Sequence, residues 1–216
     1  NTEDAAQPGT EAQAEQGGDR HHAHRQLPAP GVHAGQHEAQ HDAGDGADQR
    51  AQKAGVQRFV YTASNSVVMG GQEISGGDET LPYTDRFADL YTETKVVAEK
   101  FVLGQNGEQG MLTCSIRPSG IWGRGDQTMF RKVFESVLAG HVKVLVGSKE
   151  VKLDNSYVHN LVHGFILAAQ HLVPGGTAPG QAYFINDGEP INMFEFSRPV
   201  VEACGERLPT FRVPGR

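Results

Sequence analysis

Nowhere in these 216 residues does an apolar run reach the ~18 residues that a membrane-crossing helix requires. The chain opens without the basic and then apolar pattern of a secretory leader. Cysteine is scarce. Cys114 lies in an apolar, strand-like run and Cys204 near a helix end, far apart in the chain. Both are expected to be buried thiols rather than a bridge, which fits a reducing, cytoplasmic setting. No basic face interleaved with aromatics is visible, so nucleic acid is not an expected partner.

The first fifty residues lack the most. They contain no Phe, Tyr, Trp, Ile, Met or Lys, and only Leu27 and Val32 as large aliphatics. Nine acidic and three basic residues give them a net charge of −6, while the other 166 residues sum to −1. Such a segment cannot bury enough apolar surface to offset its ordering entropy, so residues 1–50 are expected to be a disordered, low-complexity tract. Its histidines, His21, His22, His24, His33, His37 and His41, include a His-x-His spacing. No cysteine and no scaffold accompany them, and no metal site is expected. His141, His159, His163 and His171 read as surface or packing residues, with His159 alone worth testing.

Beyond residue 50 the composition is that of an ordinary globular protein, long enough for a real core. Ala51-Gln52-Lys53-Ala54-Gly55 reads as a last helical turn with a glycine stop. Residues 57–62 follow as a strand and 64–71 as the loop above it. Apolar residues at three- and four-residue steps (Phe87, Leu90, Tyr91, Val97, Ala98, Phe101) predict a helix over 87–103. Residues 111–116 form a continuous apolar-rich run suited to a parallel strand covered on both faces. After a Gly-rich loop over 120–125 come a helix at 127–138, a short strand at 142–146 and an extended 156–158. A helix at 160–172, a strand at 182–185, a helix at 193–204 and an extended 211–213 complete the chain. Strands alternating with helices predict an α/β fold with a parallel sheet.

Three side chains stand out for chemistry. Tyr91 and Lys95 are four residues apart on the predicted helix, hence on one face and about 6 Å apart along its axis. A lysine there favours the phenolate, so the Tyr91 phenol is expected to ionise below its reference value of about 10 and to exchange a proton with an alcohol or ketone. Ser64, at the carboxyl end of strand 57–62, is placed to donate to the substrate oxygen. Ligands of open α/β sheets bind at those strand ends. Each residue alone has an ordinary reading: a half-buried tyrosine, a solvated lysine, a turn serine. The ordered set of strand, Ser64, Tyr91, Lys95, next strand and Arg117-Pro118 argues for hydride-transfer chemistry.

Residues 51–216 resemble the C-terminal three-quarters of an extended short-chain dehydrogenase/reductase, in the branch of bacterial 3β-hydroxysteroid (cholesterol) dehydrogenases. The resemblance is carried by Arg58-Phe59-Val60-Tyr61-Thr62-Ala63-Ser64, by Tyr91-Thr92-Glu93-Thr94-Lys95, by Ile116-Arg117-Pro118-Ser119-Gly120-Ile121-Trp122-Gly123-Arg124-Gly125-Asp126, and by Asp154-Asn155-Ser156-Tyr157-Val158-His159-Asn160. It implies an incomplete Rossmann-like sheet with helices on both faces and a small C-terminal substrate-binding region. Residues 51–118 would be the C-terminal half of the Rossmann-like domain, and 119–216 a mixed sheet-completing and substrate-binding region. It further implies Ser64, Tyr91 and Lys95 as catalytic residues, and Tyr91, Lys95, Pro118, Ser119 and Ile121 beside an NAD or NADP nicotinamide. The implied activity is oxidation of a secondary alcohol, with an apolar alcohol or ketone such as a steroid as substrate. Nucleotide-sugar epimerases and dehydratases use the same three residues but more often carry Asp where Asn160 stands. In relatives the helix at 87–103 often serves as a dimer face, which keeps a homodimer open.

The same resemblance makes one absence telling. No strand followed by Gly-x-x-Gly-x-x-Gly lies upstream to cradle a pyrophosphate. Family-like sequence starts abruptly in mid-helix at residue 51, so residues 1–50 are expected to be an out-of-frame tract or a mis-called start. The 216-residue chain is accordingly expected to bind NAD negligibly, and to be unstable where strand 57–62 exposes its edge.

Overall fold

In the computed structural model, the described residues are 46–47 and 49–214. The disordered tract expected at residues 1–50 lies outside them up to residue 45, as do its six histidines, while 46–47 and 49–50 are helical and depart from that expectation. Residues 46–47 and 49–53 are helical, so the composition break near residue 50 falls inside a helix, as the last turn read at 51–55 implied. Gly55 ends that helix with φ of 72°, as the glycine stop predicted.

The sheet is parallel, as expected. Strand β1 (Arg58–Thr62) pairs with β2 (Leu112–Pro118), and β2 pairs with β6 (Ala182–Ile185), in the order β1-β2-β6. Its period of two sorts the core. Cys114 and Ile116 of β2 point to one face, where they pack with Leu161 and Ala168 of helix α3 (Val158–His171) and with Val60, Tyr183 and Ile185. Thr113, Ser115 and Arg117 alternate with them toward helix α1 (Leu90–Gly104), where Thr113 Oγ1 donates to the Val102 carbonyl at 2.8 Å. Helices therefore cover both faces. Val67, Val68 and Val96 form a second cluster on the α1 side, with Phe184 of β6 against it.

Helix α1 departs from its predicted face and start. The Asp89 carboxylate accepts from the Thr92 N–H at 2.8 Å and caps the helix there, leaving Phe87 before it and 43% exposed. The buried positions are Thr92, Val96, Glu99 and Val102, while Tyr91 is 53% exposed. Sequence pattern put apolar residues inward. The structure instead buries Glu99 because Arg117 of β2 faces it: Arg117 Nε donates to Oε1 at 3.0 Å and to Oε2 at 3.1 Å. The Arg117 guanidinium also stacks near the Tyr83 and Phe184 rings, 5.2 Å from each centroid.

The remaining elements form the region after β2. Two-residue strands β3 (Ile121–Trp122) and β5 (Ser156–Tyr157) pair in parallel, as do β4 (Leu145–Val146) and β7 (Arg212–Val213). Helix α2 (Phe130–Leu138) begins three residues later than predicted. The Asp126 carboxylate accepts from the N–H groups of Thr128, Met129 and Phe130 and holds the preceding residues in a turn. Helix α4 (Met193–Ala203), capped by Asn192, packs its Val201 against Val137 of α2. Both cysteines are free thiols. Cys204 is exposed, contrary to expectation, because it caps the end of α4 outside that cluster.

Candidate active site

The carboxyl ends of β1, β2 and β6 are tied into one corner by polar side chains. Asn65, just after Ser64, donates from Nδ2 to Ser119 Oγ at 3.0 Å, joining the turn after β1 to the turn after β2. The Ser119 N–H donates to Ser156 Oγ at 2.9 Å, and the Ser156 hydroxyl donates to the Ile185 carbonyl at 2.6 Å. Ser64 itself is buried and caps a short 3-10 turn over Asn65–Val68, its Oγ accepting from the Ser66 N–H at 3.2 Å. Because that bond uses a lone pair, the Ser64 hydroxyl proton stays available to a substrate oxygen.

Helix α1 delivers the other two groups. Lys95 Nζ donates to the Thr62 carbonyl at 2.8 Å, two residues before Ser64. The same ammonium lies 5.1 Å from the Tyr61 ring centroid and 5.7 Å from that of Tyr91. Burial lowers the proton affinity of Lys95, and the Glu99 carboxylate one turn on partly restores it. Burial pushes the Tyr61 phenol up to about 12, helped by Glu99 and Tyr91. Tyr61 is thus a neutral wall beside Lys95, whereas Tyr91 stands open to solvent. Among the described residues no hydrogen bond links Ser64 to Tyr91. Lys95 lies between Tyr91 and the Thr62 carbonyl, bonded to the latter. Pro118 ends β2, buried and without an N–H to offer; Ser119 is half-buried beside it, and Ile121 is 41% exposed.

Sequence reasoning passed over Asp187, which organises the neighbouring cavity. Its carboxylate accepts from Trp122 Nε1 at 2.7 Å, from the Tyr157 N–H at 2.8 Å and from Asn160 Nδ2 at 2.8 Å. Burial alone would raise its pKa, but these donors outweigh burial and hold the carboxyl below the usual range. The only clue was indirect, since Trp122, Tyr157 and Asn160 all fall in motifs already singled out. The Trp122 ring lies 4.7 Å from Tyr157 and 5.1 Å edge-on from Phe196. These three rings line both a cleft of about 630 Å³, with Phe130, Phe134 and Leu138, and a cavity of about 410 Å³ with Asn155, Asp187 and Glu189. All four described histidines are exposed, with His159 stacked on Tyr157, and the described residues contain no cluster able to hold a metal.

A parallel sheet with helices on both faces is the fold of the extended short-chain dehydrogenase/reductases, and it sets Lys95 at the carboxyl end of β1 beside Tyr91. More narrowly, the chain belongs to the 3-beta hydroxysteroid dehydrogenase/isomerase family, which matches residues 49–214. It is 88% identical over 165 residues to a 3-beta-hydroxysteroid dehydrogenase of Mycolicibacterium neoaurum, covering 76% of this chain and 45% of that protein. It is 82% identical over 164 residues to a 3 beta-hydroxysteroid dehydrogenase/Delta 5-->4-isomerase of Mycobacterium tuberculosis (strain ATCC 25618 / H37Rv), covering 76% and 44%. The chain thus spans less than half the length of these relatives. Among solved structures, a UDP-glucose 4-epimerase from Thermus thermophilus in complex with NAD superposes with a TM-score of 0.62 at 21% identity, over 80% of this chain and 56% of that one. A dTDP-glucose 4,6-dehydratase from Streptomyces venezuelae, with NAD bound, gives 0.65 at 18%, over 83% and 54%. At such identities these two establish the fold.

Proposed function

We propose that this chain carries the catalytic corner of an NAD(P)-dependent 3β-hydroxysteroid dehydrogenase. The observation that carries the reading is the Lys95–Thr62 bond of 2.8 Å. It brings the ammonium of α1 against the end of β1, two residues before Ser64, while leaving Tyr91 exposed beside it. In this reading the Ser64 hydroxyl donates to the substrate oxygen and fixes its orientation. The Tyr91 phenolate, stabilised by the adjacent ammonium, accepts the alcohol proton and becomes the neutral phenol.

The donor set fits the nicotinamide end of a dinucleotide. Lys95 has two N–H donors beyond the one on Thr62, enough for a ribose diol. Pro118, Ser119 and Ile121 would line the nicotinamide side. A bound nicotinamide would supply the acceptor for the hydride leaving the carbinol carbon. No strand followed by Gly-x-x-Gly-x-x-Gly is present among the described residues, so none of them is assigned to the phosphates. The apolar cleft walled by Trp122, Phe130 and Phe134 suits a bulky, flat substrate such as a steroid.

The test replaces the matching segment of the Mycolicibacterium neoaurum relative with residues 49–214 of this chain and follows NADH formation. A 3β-hydroxysteroid should be oxidised, whereas a UDP-sugar should yield no net reduced cofactor. Tyr91→Phe should lower kcat by about 10²–10⁴-fold. Full activity in that variant would remove Tyr91 from the chemistry and the reading with it.

A further inference from the structure

Asn155 is 3% exposed, and neither Oδ1 nor Nδ2 of its amide has a hydrogen-bond partner. Its carbonyl accepts from the Asp187 N–H at 2.8 Å, and the next residue's N–H donates to the Gly120 carbonyl at 3.0 Å. A buried amide lacking both partners is costly and uncommon. Asn155 also lines the 410 Å³ cavity, a volume within the range of about 300–1,000 Å³ typical of ligand sites. Trp122, Tyr157, Phe196 and Ile191 line the same cavity and make most of its wall apolar.

We propose that the Asn155 amide recognises a hydroxyl on a neutral, otherwise apolar ligand seated in this cavity. The inference rests on the dehydrogenase reading above and assigns the hydroxyl to the part of the substrate remote from the reacting carbon. An amide with a free donor and a free acceptor is matched by a group that both accepts and donates, which a hydroxyl does and a ketone does not. Asp187 and Glu189 on the same rim disfavour a phosphate or carboxylate. Gly120 leaves the amide its place, since a Cβ there would lie 2.8 Å from Asn155 Oδ1 and 2.5 Å from Met129 Cε.

Trp122 is the sole tryptophan of the chain and lines the cavity, so its fluorescence reports occupancy without cofactor or turnover. The full 216-residue chain would be titrated with androst-5-ene-3β,17β-diol and with its 17-deoxy counterpart. The diol should bind roughly tenfold more tightly, the worth of one hydrogen bond to a buried polar group. Asn155→Leu should bring the ratio to about one, and should raise the urea midpoint because it removes an unpartnered buried amide. The same variant in the chimera should erase the diol preference in kcat/KM, which covers the event that the short chain does not fold. An unchanged ratio in Asn155→Leu, equal binding of both steroids by the parent, or tighter binding of a 17-sulfate would overturn the proposal. If the chimera oxidises both steroids yet shows no preference, Asn155 recognition fails while the dehydrogenase reading stands. If neither steroid quenches Trp122 nor is oxidised, both fall.

Discussion

Replacing Glu99 with alanine would place an arginine, 4% exposed at its side chain, in the core without its counter-ion. Glu99 is fully buried, and both its oxygens are held by one Arg117 nitrogen at 3.0 and 3.1 Å. Breaking a buried pair from one side costs about 3–5 kcal/mol, a large share of the roughly 5–15 kcal/mol that holds a domain together. Replacing both partners with apolar residues of similar size, Glu99→Leu with Arg117→Met, should cost at most about 1 kcal/mol or be stabilising. Arg117 Nη1 is already buried without a partner, and the double variant removes that liability too. Urea unfolding followed by Trp122 fluorescence measures the parent, Glu99→Ala, the single variants Glu99→Leu and Arg117→Met, and the double variant. A loss below about 1 kcal/mol in Glu99→Ala, or a double variant as unstable as the sum of its parts, would refute the pairing as the tie between α1 and β2. Glu99 also supports the proton on Lys95 against burial. Glu99→Gln should therefore lower the Lys95 titration further, read by NMR of the reductively methylated amine; an unmoved titration would sever Glu99 from the site.

Cys114 sets an alkaline limit. Burial pushes its thiol from 9.0 up to about 11, so the unfolded chain loses that proton first as pH rises. The thiol's contribution is intact below pH 9 and lost as pH climbs toward 11, amounting to roughly 1.4 kcal/mol by pH 10. Urea unfolding at pH 8 and pH 10 should show that loss, smaller in Cys114→Ala; an equal loss in both proteins would assign it elsewhere. Asn160→Asp should set a second carboxylate 2.8 Å from Asp187 Oδ1, destabilising the chain by about 1–3 kcal/mol near neutral pH. That penalty should shrink as the carboxyls protonate in acid, and a pH-independent penalty would argue against repulsion as its cause.

Much of the sheet was legible because its strands are short apolar runs between turn residues. β6 lies at 182–185 as read, and β1 falls inside 57–62. Helix α4 starts at Met193 as read, behind a capping Asn192. The two-residue pairs β3–β5 and β4–β7 were not legible as pairs. Each strand is too short to carry a pattern, and its partner lies 35 or more residues away. The face of α1 was misread for a different reason. A periodicity of apolar residues cannot anticipate that Glu99 goes inward, because what permits it is an arginine eighteen positions later on another element.

The same distinction runs through the site. That Ser64 follows a strand, and that Tyr91 and Lys95 share a helix, was legible, since both facts are local. What relates strand to helix is the Lys95–Thr62 bond, and that depends on how α1 lies across β1. The choice of Asn at position 160 likewise looked like a bare family preference. The Asp187 carboxylate gives it a physical basis: an amide there donates to a carboxylate already holding Trp122 and the Tyr157 backbone, which an aspartate could not do. Residue 160 thus bears on the cavity through the wall it steadies. A substitution there should alter how Trp122 and Tyr157 shape the cavity before it alters anything at Tyr91.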